Sequence, residues 1–414
     1  MKSGRTAGKV VAGAWAAALL VSSVAAQGQP SLQKGDSLLA VARTLSQRFL
    51  IIDTHIDAPS RLYRGGVDLS VRGDRGQFDF VRAREGGLDV PFMSIYIPSS
   101  LEGKPEAIDM ADSLIDLVTG LASRYPDKFA MVTSPAQVRA LQGSGRVLLA
   151  MGMENGAPIA GSLENVRRFH ARGIRYITLA HAKNNHLSDA SYDRARRWKG
   201  LSPFGREVVQ EMNRVGIMID VSHLSDSAFY QVLRFSRAPV IASHSSCRHF
   251  TPGFERNMSD AMITLLAARG GVIQINFGSE FLSDEIRRES DRQSQDIDEH
   301  LRSHHLKPGD PKAKEYAENY RKTHPRRLAT VQTVADHIDH VVKLVGVKAV
   351  GIGSDFDGVG DTLPIGLNDV SCYPNLVAEL LRRGYTHDDI RGVCGENVLR
   401  VWAAVEAAAA EGRK

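Results

Sequence analysis

His55 and Asp57 sit two residues apart in Asp53-Thr54-His55-Ile56-Asp57, at the end of an aliphatic run. Residues at that spacing on a strand point to the same side, so an imidazole and a carboxylate there can share one cation. Similar endings recur along the chain. Glu154 closes the run from Arg146, His181 the run from Tyr176, and His223 the run from Ile217. His244 and Asp355 fall near the ends of Pro239–Ser245 and Ala349–Phe356. Ionisable groups buried together are costly unless a cation compensates them. If one architecture gathers these endings, they predict a metal centre.

Imidazole and carboxylate without thiolate suit zinc, with manganese, cobalt or iron as alternatives. Five donors exceed the three protein ligands of an ordinary catalytic zinc, and a carboxylate such as Glu154 can bridge two ions. The expected arrangement is two zinc ions per chain. His55, Asp57 and Glu154 would hold one, and Glu154, His223 and His244 the other, with a hydroxide between the ions as nucleophile. Asp355 is left for proton transfer, and His181 for polarising a reacting carbonyl or steadying its oxyanion.

The elements that must position these residues are short and regular. Eight runs read as strands: Leu50–Asp57, Val90–Ile97, Arg146–Glu154, Tyr176–His181, Ile217–His223, Pro239–Ser245, Gly270–Phe277 and Ala349–Phe356. Most are apolar without alternation, as in parallel strands buried on both faces. Helical patterns lie between them, for example Leu163–Ala171, Pro203–Arg214, Asp226–Phe235 and Ser259–Ala268. Ser202, Asp226 and Ser259 are expected N-caps, and Gly173, Gly216 and Gly270 sit where helices end. Eight such units predict a (β/α)8 TIM barrel, whose active site lies at the carboxyl ends of its strands. An open doubly wound sheet is the alternative. Residues 284–327, between the seventh and eighth runs, are dense in charge and poor in strand formers. They are expected to form a solvated helical insertion, whose functional reading is a lid over the barrel mouth. Gly351-x-Gly353 imitates a dinucleotide loop but lacks the third glycine. His186, His304 and His305 fall in loops or the insertion and are read as surface residues.

Composition narrows the class. Of 414 residues, 43% are hydrophobic and 24% charged, an ordinary globular balance. Lys2, Arg5 and Lys9 precede an apolar run from Val10 to Val21, and small residues lead to Ala26. This reads as an export signal over residues 1–26, leaving a single catalytic domain over 27–414 in the periplasm or outside the cell. The run is short for a bilayer span, so no membrane anchor is expected in the mature chain. Without the signal the charge excess is small, which argues against a nucleic-acid partner. Cys247, Cys372 and Cys394 form no paired motif.

Five segments together resemble the membrane (renal) dipeptidase family: Ile51–Asp57, Met151–Gly156, Asp220–His223, Ala242–Ser246 and Gly351–Gly358. The likeness runs from about Phe49 to Trp402. It implies a binuclear zinc site bridged by Glu154, with His55, Asp57, His223 and His244 as the other ligands. It also implies proton transfer at Asp355 and substrate contacts at His181 and at Arg256, in Glu255-Arg256-Asn257. A guanidinium suits the free carboxylate of a dipeptide. The resemblance further implies tolerance of a D-residue at the second position and a homodimer. The chain departs from mammalian members in having Phe281 for a tyrosine, Lys183 for a cysteine and no lipid-anchor signal. Two other functions are weighed against this one. A related amidohydrolase acting on N-acyl amino acids, lactams or lactones would commonly use a lysine of the fourth strand as the bridging ligand. A non-catalytic binding protein would not need Asp355 beside an intact ligand set.

Overall fold

The structure, a computed structural model, describes residues 30–412. The predicted export signal lies outside them. Nine parallel strands form one sheet: β1 Ile51–Ile56, β2 Leu88–Tyr96, β3 Phe129–Met131, β4 Val147–Glu154, β5 Ile174–Thr178, β6 Met218–Asp220, β7 Ile241–Ser245, β8 Val272–Ile275 and β9 Val350–Ile352. The order is β2-β1-β9-β8-β7-β6-β5-β4, and β2 also pairs with β4, from Phe92↔Ala150 to Tyr96↔Glu154. Eight strands thereby close a barrel ringed by helices. The ninth, β3, was not expected. It adds only the pairs Phe129↔Val147 to Met131↔Leu149 on the outer flank of β4.

All eight predicted strands are present, but several stop earlier than expected. β5 ends at Thr178, β6 at Asp220 and β9 at Ile352, so His181, His223 and Asp355 lie past the ladders. The physical reason is local. His223 and Asp355 take left-handed φ values of 67° and 63°, which no strand accommodates. The turn swings each side chain over the barrel mouth. One capping residue also differs from expectation. Ser225, not Asp226, caps the helix Asp226–Phe235 by accepting from the Ala228 amide, while Ser202 and Ser259 cap as expected.

The barrel interior follows the period of two. On β4, Leu148 and Ala150 belong to the interior cluster, Gly152 comes next, and Glu154 reaches the mouth. Val90 and Phe92 on β2, Tyr176 on β5 and Met218 on β6 fill the same cluster. Its floor is the C-terminal helix Asn397–Glu411, which contributes Val398, Val401, Trp402 and Val405. The rings of Trp402 and Phe92 lie 5.2 Å apart. The opposite faces of the strands pack on the surrounding helices in a larger apolar core.

The charged insertion folds as two helices, Asp284–Ser303 and Pro311–Thr323, which bury only Ile286, Leu301 and Ala313. No helix among the described residues is long and apolar enough to cross a membrane. The three cysteines are unpaired.

Candidate metal centre and substrate cleft

Strand ends converge on Glu154, which is 4% exposed at the end of β4. Its two carboxylate oxygens face different partners. Oε2 lies 3.5 Å from His55 Nε2, and that nitrogen lies 3.3 Å from Asp57 Oδ2. Oε1 lies 3.1 Å from His223 Nε2 and 3.2 Å from His244 Nε2. His181 Nε2 stands slightly farther off, 3.6 Å from Oε1, with its side chain 21% exposed. Asp355 completes a third grouping with His55 and Asp57. The fold thus brings together His55, Asp57, Glu154, His181, His223, His244 and Asp355.

The donor set fits divalent metal. His55 Nε2 is buried and has no hydrogen-bond partner. His223 Nε2 and His244 Nε2 point at each other at 2.8 Å, a contact that a cation between them and Glu154 would replace. Asp57 occupies the N-cap position of helix Ala58–Arg64 without capping it, leaving its carboxylate free to face His55. A Cβ on Gly358 would fall 2.1 Å from Asp355 Oδ1 and 2.3 Å from Asp57 Oδ2. Only glycine leaves room for both carboxylates there.

Electrostatics point the same way. Burial would raise the Glu154 carboxyl, but His55, His181, His223 and His244 around it hold it well below the usual carboxylate range. Burial drives His223 and His244 well below the usual imidazole range, helped by Arg256 at the first and His55 at the second. An ionised carboxylate and neutral imidazoles are the forms a metal binds. His55 differs: burial acts downward but is outweighed by Tyr176, Glu154 and Asp57, so the ring is held well above the usual imidazole range and favours a proton that a metal there would have to displace.

A cleft of about 370 Å³ opens above these groups, lined among others by Tyr96, His181, Tyr192, Phe281 and Asp355. It is a pocket for a small ligand. A model of the family described as membrane dipeptidase (peptidase family M19) matches residues 39–414.

The chain belongs to the membrane dipeptidase family.

This dipeptidase is 34% identical over 385 residues to Dipeptidase verJ of Clonostachys rogersoniana, covering 90% of this chain and 88% of that one. The probable dipeptidase PvdM from Pseudomonas aeruginosa superposes with a TM-score of 0.77 at 29% identity, over 90% of this chain and 99% of its own. A metallopeptidase from Rhodobacter sphaeroides, solved with a phosphinate mimic of the dipeptide L-Ala-D-Ala, gives 0.70 at 25% identity, over 86% and 99%. The dipeptidase is therefore a peptide-bond hydrolase of a metallopeptidase family.

Several of its supporting residues escaped the sequence reading. Tyr176 Oη lies 2.8 Å from His55 Nδ1, which directs the other ring nitrogen toward Asp57 and Glu154. Gly152 exists for that ring: a Cβ there would lie 2.0 Å from Tyr176 Cζ. Ser243 Oγ lies 2.7 Å from His244 Nδ1 and donates to Asp220 Oδ2 at 2.7 Å. Asn276 Nδ2 donates to Asp355 Oδ2 at 2.8 Å. Tyr176 and Asp220 could have been found from the period of two, since each shares the inward face with a core residue of its own or the neighbouring strand. Asn276 lay within the same reach, four residues past the interior Val272 of β8.

Arg256 is placed differently from a cleft-lining residue. It is 3% exposed and lies against Phe281, its guanidinium carbon 5.2 Å from the ring centre. Nη1 donates to Ser245 Oγ and Nη2 to the His244 carbonyl. Nη2 also stands 3.1 Å from His223 Nε2, while Nε has no partner.

Proposed function

We propose that this dipeptidase hydrolyses small dipeptides, including those with a D-residue at the second position, with two zinc ions at the barrel mouth. The observation that carries the reading is the split of Glu154. One oxygen serves the His55–Asp57 side and the other the His223–His244 side. Two such ions, when bound, would supply Lewis acidity at neutral pH. The chain's own residues do the rest. Asp355, oriented by Asn276 and close to Asp57, is the carboxyl placed to take the proton of the attacking water and pass it to the leaving amine. His181, the most exposed imidazole of the group, meets the substrate carbonyl. Arg256 is a buried cation with no ion pair among the described residues. A buried charge needs a counterion, and the substrate carboxylate supplies it. The second-position D-residue rests on the mimic bound by the Rhodobacter relative.

Zinc counting on the purified protein tests the centre. The wild type should carry two equivalents at the mouth, and Glu154→Gln should lose the zinc held there together with turnover. A Glu154→Gln protein with full metal content and full rate would defeat the shared-carboxylate reading. A panel of L,L and L,D dipeptides tests the substrate. We also propose export: protein recovered from a periplasmic fraction should begin at Gln27, and an intact N-terminus would argue against it.

A further inference from the structure

Away from the barrel mouth, a second set of ligand-type side chains converges from three chain segments. His249 lies in the short turn Arg248–Phe250 after β7, Asp260 opens the helix Asp260–Ala268, and His340 belongs to the helix Val331–Val345. One donor atom from each lies within 4.8 Å of the others. His340 Nε2 is 2.8 Å from Asp260 Oδ1. The ring of His249 stacks on that of His340, with centroids 4.3 Å apart and planes at 21°. Among the described residues the His249 imidazole makes ring contacts, with Phe250 and His340, but no hydrogen bond or ion pair.

The surroundings distinguish this cluster from an incidental ion pair. Phe250 floors it, 5.6 Å from the His340 ring and 4.3 Å from the His337 ring. His337 is close but cannot serve as a ligand, because both its nitrogens are used. Nδ1 accepts from the Cys247 amide at 3.0 Å, so Nε2 carries the proton and donates to the Leu282 carbonyl at 3.0 Å. The outer side is open, with the Asp260 side chain 47% exposed and that of His340 18%. Two imidazoles and one carboxylate thus meet over an apolar floor with an accessible face.

We propose that His249, Asp260 and His340 form a peripheral site for a divalent transition ion, zinc among them, separate from the centre at the barrel mouth. Imidazole-rich, thiolate-free donors favour zinc, nickel, copper or cobalt over magnesium or calcium. Three protein donors leave the remaining coordination to water. The position also has a structural consequence. His249 follows Arg248, which is paired bidentately with Asp226 at 2.6 and 2.7 Å. Both open the loop that runs on to Arg256. An ion here ties the start of that loop to two helices at once, so it stabilises the folded chain by preferential binding.

The test uses the full chain, stripped with chelator, re-equilibrated with zinc sulfate and freed of excess zinc by gel filtration. Zinc per chain is then counted by mass spectrometry for the wild type, His249→Ala/His340→Gln and, as a milder change, Asp260→Asn. The double variant should carry one equivalent fewer than the wild type and keep its dipeptidase turnover. Zinc titration should raise the Tm of the wild type through a phase that the double variant lacks. Glu154→Gln should retain the peripheral equivalent, which separates this site from the one at the mouth. Equal zinc counts in wild type and both variants, each folded by circular dichroism, overturn the proposal.

Discussion

The two ends of the barrel are built from the same strands yet do opposite things. At the floor, Leu148, Ala150, Phe92, Tyr176, Met218 and Trp402 belong to one buried apolar cluster. At the mouth, Glu154, Thr178 and Asp220 continue the same inward faces as acids and a hydroxyl. On β5 and β6 the change takes a single step of two residues, roughly 7 Å of strand. The floor gains stability by removing apolar surface from water. The mouth gathers groups whose burial is unfavourable without a compensating cation. Stability and chemistry are thus segregated along one axis, and substitutions at the two ends should fail in different ways.

The sharpest contrast comes from Asp355→Asn. The amide is isosteric and can keep the Asn276 contact, so folding and zinc content should change little. The chemical step should slow by about 10²–10⁴-fold, because the amide does not exchange the proton. Steady-state kinetics check it, and an unchanged kcat would move proton transfer to His181. At the other end, Trp402→Ala should cost about 3–5 kcal/mol of stability, read by denaturant melts. Zinc stoichiometry and turnover of the protein that remains folded should be preserved. A loss of turnover at full foldedness would show that the two ends are not separable.

Tyr176 bridges the two regions, with its ring in the floor cluster and its hydroxyl on His55. Tyr176→Phe should leave the melt nearly unchanged and weaken metal retention by about 10–100-fold, the usual effect of losing an outer hydrogen bond to a ligand. Competition against a graded chelator measures it. The smallest effect belongs to Asp89 near the floor, which accepts from the Ile51 amide at 3.0 Å. Burial raises its carboxyl to about 6. A pKa raised on folding means that the contribution is full below the unfolded value and is lost as pH rises through about 6. Asp89→Asn keeps an acceptor oxygen but does not ionise. It should match the wild type near pH 4 and exceed it at pH 8 by on the order of 1 kcal/mol. Melts at the two pH values decide, and a gap independent of pH would remove Asp89 as the cause.

The mouth was legible in the sequence because polar residues ending apolar runs are rare and recur here at most of the strand ends. His55, Glu154 and His244 sit on their strands as that rule requires. His181, His223 and Asp355 reach the same place from turns beyond the ladders, which a strand pattern alone does not distinguish. β3 was missed because three residues carry no period. The burial of Arg256 beneath Phe281 was missed because loop packing depends on contacts between segments far apart in the chain. His249 and His340 are likewise joined only by tertiary structure.

The floor also has a place in time. Phe92 and Trp402 touch, yet about 310 residues of chain separate them. At roughly 5–20 residues per second of synthesis, about 15–60 s pass between the emergence of the two. Throughout that interval the apolar faces that will line the bore lack the helix that covers them. The helix Asn397–Glu411 therefore acts as a latch: the strands made before it cannot complete the domain until it has been synthesised. A chaperone that shields the bore would have to release it when residues 397–411 arrive.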